Sequence, residues 1–66
     1  MTKLTHEIAA KHVLDYFAKD GQNVLILDTE RREHYGLDLI EVYFLLDGER
    51  YSFGVWIEDG DICGEW

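Results

Sequence analysis

Residues 40–66, IEVYFLLDGERYSFGVWIEDGDICGEW, carry the clearest strand-and-turn pattern in the chain. Two Asp-Gly pairs, Asp47-Gly48 and Asp59-Gly60, each separate apolar runs. Asp-Gly favours a two-residue type I′ hairpin, because both central residues of that turn need positive φ. A two-residue turn fixes the strand register, and the register can be tested because side chains alternate between the two faces of a sheet. About the first turn Leu46 faces Glu49, Phe44 faces Tyr51, Val42 faces Phe53 and Ile40 faces Val55. About the second turn Glu58 faces Asp61, Ile57 faces Ile62, Val55 faces Gly64 and Phe53 faces Trp66. Both registers select one inner face: Ile40, Val42, Phe44, Tyr51, Phe53, Val55, Ile57, Ile62 and Trp66. A slip by one residue would mix this set with Glu41, Ser52 and Glu65. Two turns that agree on one apolar face define an antiparallel meander.

Before this stretch, Val24 to Thr29 is rich in β-branched and long aliphatic residues and reads as a first strand. Residues Glu30-Arg31-Arg32-Glu33-His34-Tyr35-Gly36 read as a polar connection to the second. Ahead of them, Ile8, Ala9, His12, Val13, Tyr16 and Phe17 recur at helical spacing, with Ala10 and Leu14 widening the stripe. Thr5 suits the N-cap of a helix running to about Lys19, and Gly21 suits a left-handed stop. The stripe has an apolar sheet face to cover. The expectation is one α+β domain over residues 1–66, with an N-terminal helix packed on a four-stranded antiparallel sheet, an αββββ meander.

A chain of 66 residues buries a modest share of its surface and needs a dense core or outside help. The apolar content of 47% and nine aromatic residues supply the core. The lone cysteine, Cys63, excludes an internal disulfide and fits a reducing cytoplasm. No apolar run has the length of a signal peptide or a membrane span.

The net charge is −8, from 14 acidic and 6 basic residues. Residues 1–36 hold six acids and five bases, whereas residues 37–66 hold eight acids and one base, Arg50. Such a chain repels nucleic acid and anionic membrane and attracts basic proteins. The same registers define the outer sheet face: Leu39, Glu41, Tyr43, Leu45, Arg50, Ser52, Gly54, Trp56, Cys63 and Glu65. A solvated face is ordinarily polar. Here Tyr43 and Trp56 stand among the acids, and Glu41 and Glu65 flank Gly54, whose missing side chain leaves a gap. Apolar patches with aromatics mark interaction surfaces. At one edge Asp38 comes near Glu58, Asp59 and Asp61, with no base nearby in sequence. The expected partner-binding residues are therefore Asp38, Glu41, Tyr43, Trp56, Glu58, Asp59, Asp61 and Glu65. The plainer reading gives the acids to turn geometry and the outer aromatics to cross-strand pairs that shield Gly54.

Catalytic chemistry has no foothold. Ser52, the only serine, lies in mid-strand, and the acids around Cys63 disfavour a nucleophilic thiolate. A buried or dimer-interface thiol fits Cys63 better. His6, His12 and His34 lack the spacing of a metal motif, and His12 lies on the helix stripe as a core-edge residue. Glu58-Asp59-Gly60-Asp61 is too short for a calcium loop. Glu41 and Glu65 are a carboxylate pair of the kind used on sugars, but a flat sheet offers little concavity to exclude water. The expectation is a protein that is not an enzyme and takes no cofactor or metal.

The profile across the whole chain, short, acidic, cysteine-poor, compact α+β and without a catalytic motif, resembles the phage anti-CRISPR proteins that act as DNA mimics. The resemblance implies a non-enzymatic inhibitor in the bacterial host cytoplasm, with carboxylates standing where phosphates would lie in the basic groove of a CRISPR effector complex. Asp38, Glu41, Glu58, Asp59, Asp61 and Glu65 would be the phosphate stand-ins, with Tyr43 and Trp56 as apolar anchors. The order of helix and hairpins also resembles the small periplasmic modules of the PepSY type. Two further readings use the same surface. One is an intracellular immunity or antitoxin protein that blocks a basic nuclease. The other is a homodimer formed through the outer face or the last strand.

Overall fold

The computed structural model describes residues 3–19 and 21–65. It has one helix, α1 (His6–Ala18), followed by four strands, β1 (Val24–His34), β2 (Leu37–Leu46), β3 (Glu49–Glu58) and β4 (Asp61–Glu65). The strands form one antiparallel sheet in the order β1-β2-β3-β4, and α1 packs on one face of it. This is the helix-on-meander α+β fold expected from the sequence.

Thr5 begins α1 as expected: its backbone is extended and its hydroxyl accepts a hydrogen bond from the Ile8 N–H at 3.1 Å. That bond satisfies one of the amide donors left open by the first turn. The helix ends at Ala18, and Gly21, at φ +71°, donates back to the Ala18 carbonyl at 3.0 Å. On the buried side, Ala9, Val13 and Phe17 meet Ile40, Val42, Phe44, Phe53 and Val55, with Leu4 closing one end. Each of the larger of these side chains contributes roughly 1.5–3 kcal/mol by leaving water. Ile8, Val24, Ile26, Leu46 and Ile57 pack around this centre. His12 is half-buried at its edge, with its ring near those of Tyr16 and Phe53.

The two Asp-Gly turns hold the register read from the sequence, from Leu46 opposite Glu49 to Ile40 opposite Val55, and from Glu58 opposite Asp61 to Val55 opposite Gly64. Asp47 and Asp59 both take positive φ beside their glycines. The Phe53–Trp66 pair lies outside the described residues. On the inner face Tyr51 and Ile62 remain partly exposed, because α1 runs over β1, β2 and β3 and leaves their positions beside the covered area.

One segment differs from expectation. Residues Glu30 to His34 are strand, so β1 runs eleven residues and the connection to β2 is only Tyr35-Gly36. Both turn residues have positive φ, +51° and +78°, making a third tight hairpin. The charges that suggested a loop sit on an edge strand, where one side is free of neighbours and charged side chains deter pairing with other chains. Leu27 forms a bulge between the Ile26 and Asp28 pairings, which interrupts the same edge.

Candidate functional site

Register places Glu41, Tyr43, Trp56, Glu58, Asp61 and Glu65 on the face of the sheet away from α1, and Asp59 on the β3–β4 turn at its end. Asp38 departs from the expected set. It pairs in register with Glu33 on the helix side of β2 and forms an ion pair with Arg31. The extended β1 is the cause. Arg31 stands opposite Ile40, two residues from Asp38 on the same face, within reach of a diagonal cross-strand contact. Arg31 also donates to the Leu4 carbonyl at 2.7 Å, so this pair ties the segment before α1 to the sheet. The acidic corner is therefore Glu58, Asp59 and Asp61, without Asp38.

Arg32, also missed as a site residue, organises the other end of the outer face. Its Nε lies 3.0 Å from Glu41, and its Nη2 donates to the Tyr43 hydroxyl at 2.8 Å and to Glu30 at 3.2 Å. The Tyr43 hydrogen bond first, and then the charges of Glu30 and Glu41, push the guanidinium above its ordinary value. Glu30 and Glu41 are directly opposite each other across β1 and β2. Like charges in that position repel, and Arg32 bridges the two carboxylates. The signal for this contact was present in Tyr35-Gly36. A two-residue turn there sets Arg32 opposite Leu39, on the same face as Glu41.

Glu58 and Asp61 repeat the like-charge arrangement without the remedy. They also stand directly opposite each other, yet neither forms an ion pair among the described residues. Glu58, Asp59, Asp61 and Glu65 are all exposed. Trp56, Tyr43 and Cys63 are half-buried on the same face, so Cys63 sits on the outer face and not in the core.

Gly54 forms the floor between Glu41 on β2 and Glu65 on β4, as the register requires. Above it lies an open groove of about 530 Å³, bounded by Leu39, Trp56, Glu41, Glu65 and His34. The outer face is thus more concave than a flat sheet, although the groove remains open to solvent. Among the described residues no three histidine, cysteine, aspartate or glutamate side chains converge to hold a metal ion. No helix among them is long and apolar enough to cross a membrane.

The face combines an apolar and aromatic centre with carboxylates, Glu58, Asp61 and Glu65, that form no ion pair among the described residues, an arrangement able to bind a cationic surface. Comparison of the chain with protein-family models, with curated proteins and with solved structures gives no match.

Proposed function

We propose that this protein is a non-enzymatic inhibitor that binds a basic, nucleic-acid-handling protein through its outer sheet face. The specific form of the proposal is a DNA mimic of the anti-CRISPR kind, acting in a bacterial cytoplasm and blocking target-DNA binding by a CRISPR effector complex. The observation that carries the reading is the contrast between two like-charge pairs. Arg32 bridges Glu30 and Glu41, whereas Glu58 and Asp61 face each other and neither forms an ion pair among the described residues. A repulsion that the fold leaves in place is relieved when a partner supplies the missing positive charge.

The mechanism follows from electrostatics. Lysines and arginines that grip DNA are already arranged around a polyanion. Rigid carboxylates on a sheet compete for them without the entropic cost of ordering a flexible chain. Attraction over a distance speeds encounter and weakens with salt. Trp56 and Tyr43 then supply the desolvated contact that charge alone does not provide.

Competition tests the reading. Type I and type II CRISPR surveillance complexes, with an unrelated basic nuclease as control, are loaded with labelled target DNA in the presence of increasing protein. The expected result is loss of DNA binding by one complex at near-stoichiometric protein. Inhibition of the nuclease alone would replace the proposal with an immunity protein. No displacement from any of them would leave self-association through the same face as the reading, with sedimentation as its measurement.

A further inference from the structure

The glycines of this chain separate into those the fold needs and one it does not. Gly21, Gly36, Gly48 and Gly60 have positive φ, a conformation that disfavours other residues. Gly64 lies under the ring of Phe53, where a Cβ would collide. Gly54 has neither constraint. A Cβ built on it would come no nearer than 3.7 Å to the Glu65 carbonyl oxygen and 3.9 Å to Leu39 Cδ1, both ordinary contacts. A glycine in the middle of a strand gives up packing and backbone order, and one use of that loss is to admit a ligand close to the backbone. Gly54 is the floor of the outer-face groove.

The surroundings of that groove select its occupant. Glu41 and Glu65 are in register on either side of Gly54, about 10 Å apart by the spacing of two strands. Glu65 is exposed and has no ion pair among the described residues, whereas Glu41 already meets Arg32. Trp56 lies two residues along β3 on the same face, opposite Leu39. Besides His34 and the Arg32-paired Glu41 at its rim, the groove therefore offers an aromatic wall, an aliphatic wall, a carboxylate with no ion pair among the described residues and a floor without a side chain. A planar cation with several donors matches all four, because it can stack on the indole while hydrogen-bonding a carboxylate at its edge. A lysine ammonium matches the charge but not the planar stacking.

We infer that the groove over Gly54 is a receptor for one guanidinium group, an arginine side chain of the partner. Glu65 accepts its hydrogen bonds, Trp56 and Leu39 hold its plane, and Gly54 leaves the space. This assignment rests on the outer face being the binding surface, and it names what that face recognises.

The test uses three blocked tripeptides, Gly-Arg-Gly, Gly-Lys-Gly and the neutral isostere Gly-citrulline-Gly, titrated into the full chain and followed by backbone-amide and indole NMR shifts. The arginine peptide is expected to shift Gly54, Trp56 and Glu65, with the other two binding about tenfold more weakly. Glu65→Gln is expected to remove most of the preference for arginine. Gly54→Val is expected to abolish the response, while Gly54→Ala, which the backbone accommodates, weakens it at an undiminished thermal midpoint. Equal shifts from lysine and arginine, or an unchanged response in both Glu65→Gln and Gly54→Ala, overturn the receptor even where a basic effector still binds. A selective arginine response without displacement of DNA from any effector supports the receptor and overturns the DNA-mimic reading.

Discussion

The ring of Phe53 lies so close to the backbone of Gly64 that a Cβ on Gly64 would stand 2.0 Å from the ring's Cε2. Phe53 is buried, with its ring packed near Phe17, Tyr16 and His12, so it has little room to retreat. Glycine here permits β4 to join the sheet beneath a core aromatic. Gly64→Ala is expected to destabilise the fold by roughly 1–3 kcal/mol, the usual range for an overpacked core. Chemical denaturation measures it. Combining it with Phe53→Leu should cost less than the two single changes added together, because the smaller side chain removes the collision. Additive effects would show that the ring and the glycine do not oppose each other.

That contact also marks where the sequence was readable. The Asp-Gly turns set β2, β3 and β4 in register, which placed Val55 opposite Gly64 and chose the inner face. The helix was readable because its apolar stripe and Thr5 agree. Residues 30–34 were not, because alternation of Glu30 and Arg32 with Arg31 and Glu33 has no apolar face to reveal a strand. Polar residues on both faces give no periodic signal, and tyrosine is an unusual first residue for a turn with positive φ. The error carried into the site. A β1 that stops at Thr29 gives Arg31 and Arg32 no place on the sheet, so the sequence alone sets Asp38 beside Glu58, Asp59 and Asp61 and does not reveal the Arg31–Asp38 and Arg32–Glu41 pairs.

Tyr35 holds its positive φ at a cost. Its side chain is 97% exposed, so packing does not compensate, and among the described residues its ring lies near that of His34. Left-handed backbone costs a residue with a Cβ roughly 1–2 kcal/mol, and asparagine tolerates it better. Tyr35→Asn is therefore expected to stabilise the protein by about 1 kcal/mol, raising the urea midpoint at constant slope. An unchanged or lowered midpoint would mean that the Tyr35 ring contributes more than its exposure indicates.

Arg32→Gln removes the cation between Glu30 and Glu41 and the donor to Tyr43. The two carboxylates then face each other as Glu58 and Asp61 do. A fall in thermal midpoint is expected at low ionic strength, shrinking as salt screens the repulsion. A fall that is independent of salt would assign the role of Arg32 to packing and to the Tyr43 hydrogen bond instead.

Tyr51 donates its hydroxyl proton to Glu49 at 2.6 Å, and that hydrogen bond, followed by the Glu49 charge, raises the phenol above its ordinary value. A raised value means that the folded state holds the proton more tightly than the unfolded chain does. The resulting stabilisation is complete below the ordinary phenol range and disappears as pH climbs through the raised value. Phenolate absorbance, taken as the difference between the parent and Tyr51→Phe, should show a group titrating late. Glu49→Gln should bring that titration earlier; if it does not move, the hydrogen bond is not its cause.

The proposed interface divides into residues that guide approach and residues that hold. Asp59 and Asp61 are exposed at the β3–β4 turn, where they project charge into solvent. Replacing both with asparagine should slow association by about three- to tenfold at low salt and leave dissociation nearly unchanged. Trp56 is half-buried beside the groove, where a partner would desolvate it. Trp56→Ala should speed dissociation by about tenfold or more, as expected for an aromatic hot spot. Surface-coupled binding kinetics against the inhibited effector separate the two effects, and a salt series checks that only the first is electrostatic. If both variants bind with parental rates, the partner does not use the outer face, and neither the unneutralised acids nor the groove over Gly54 bears on its recognition.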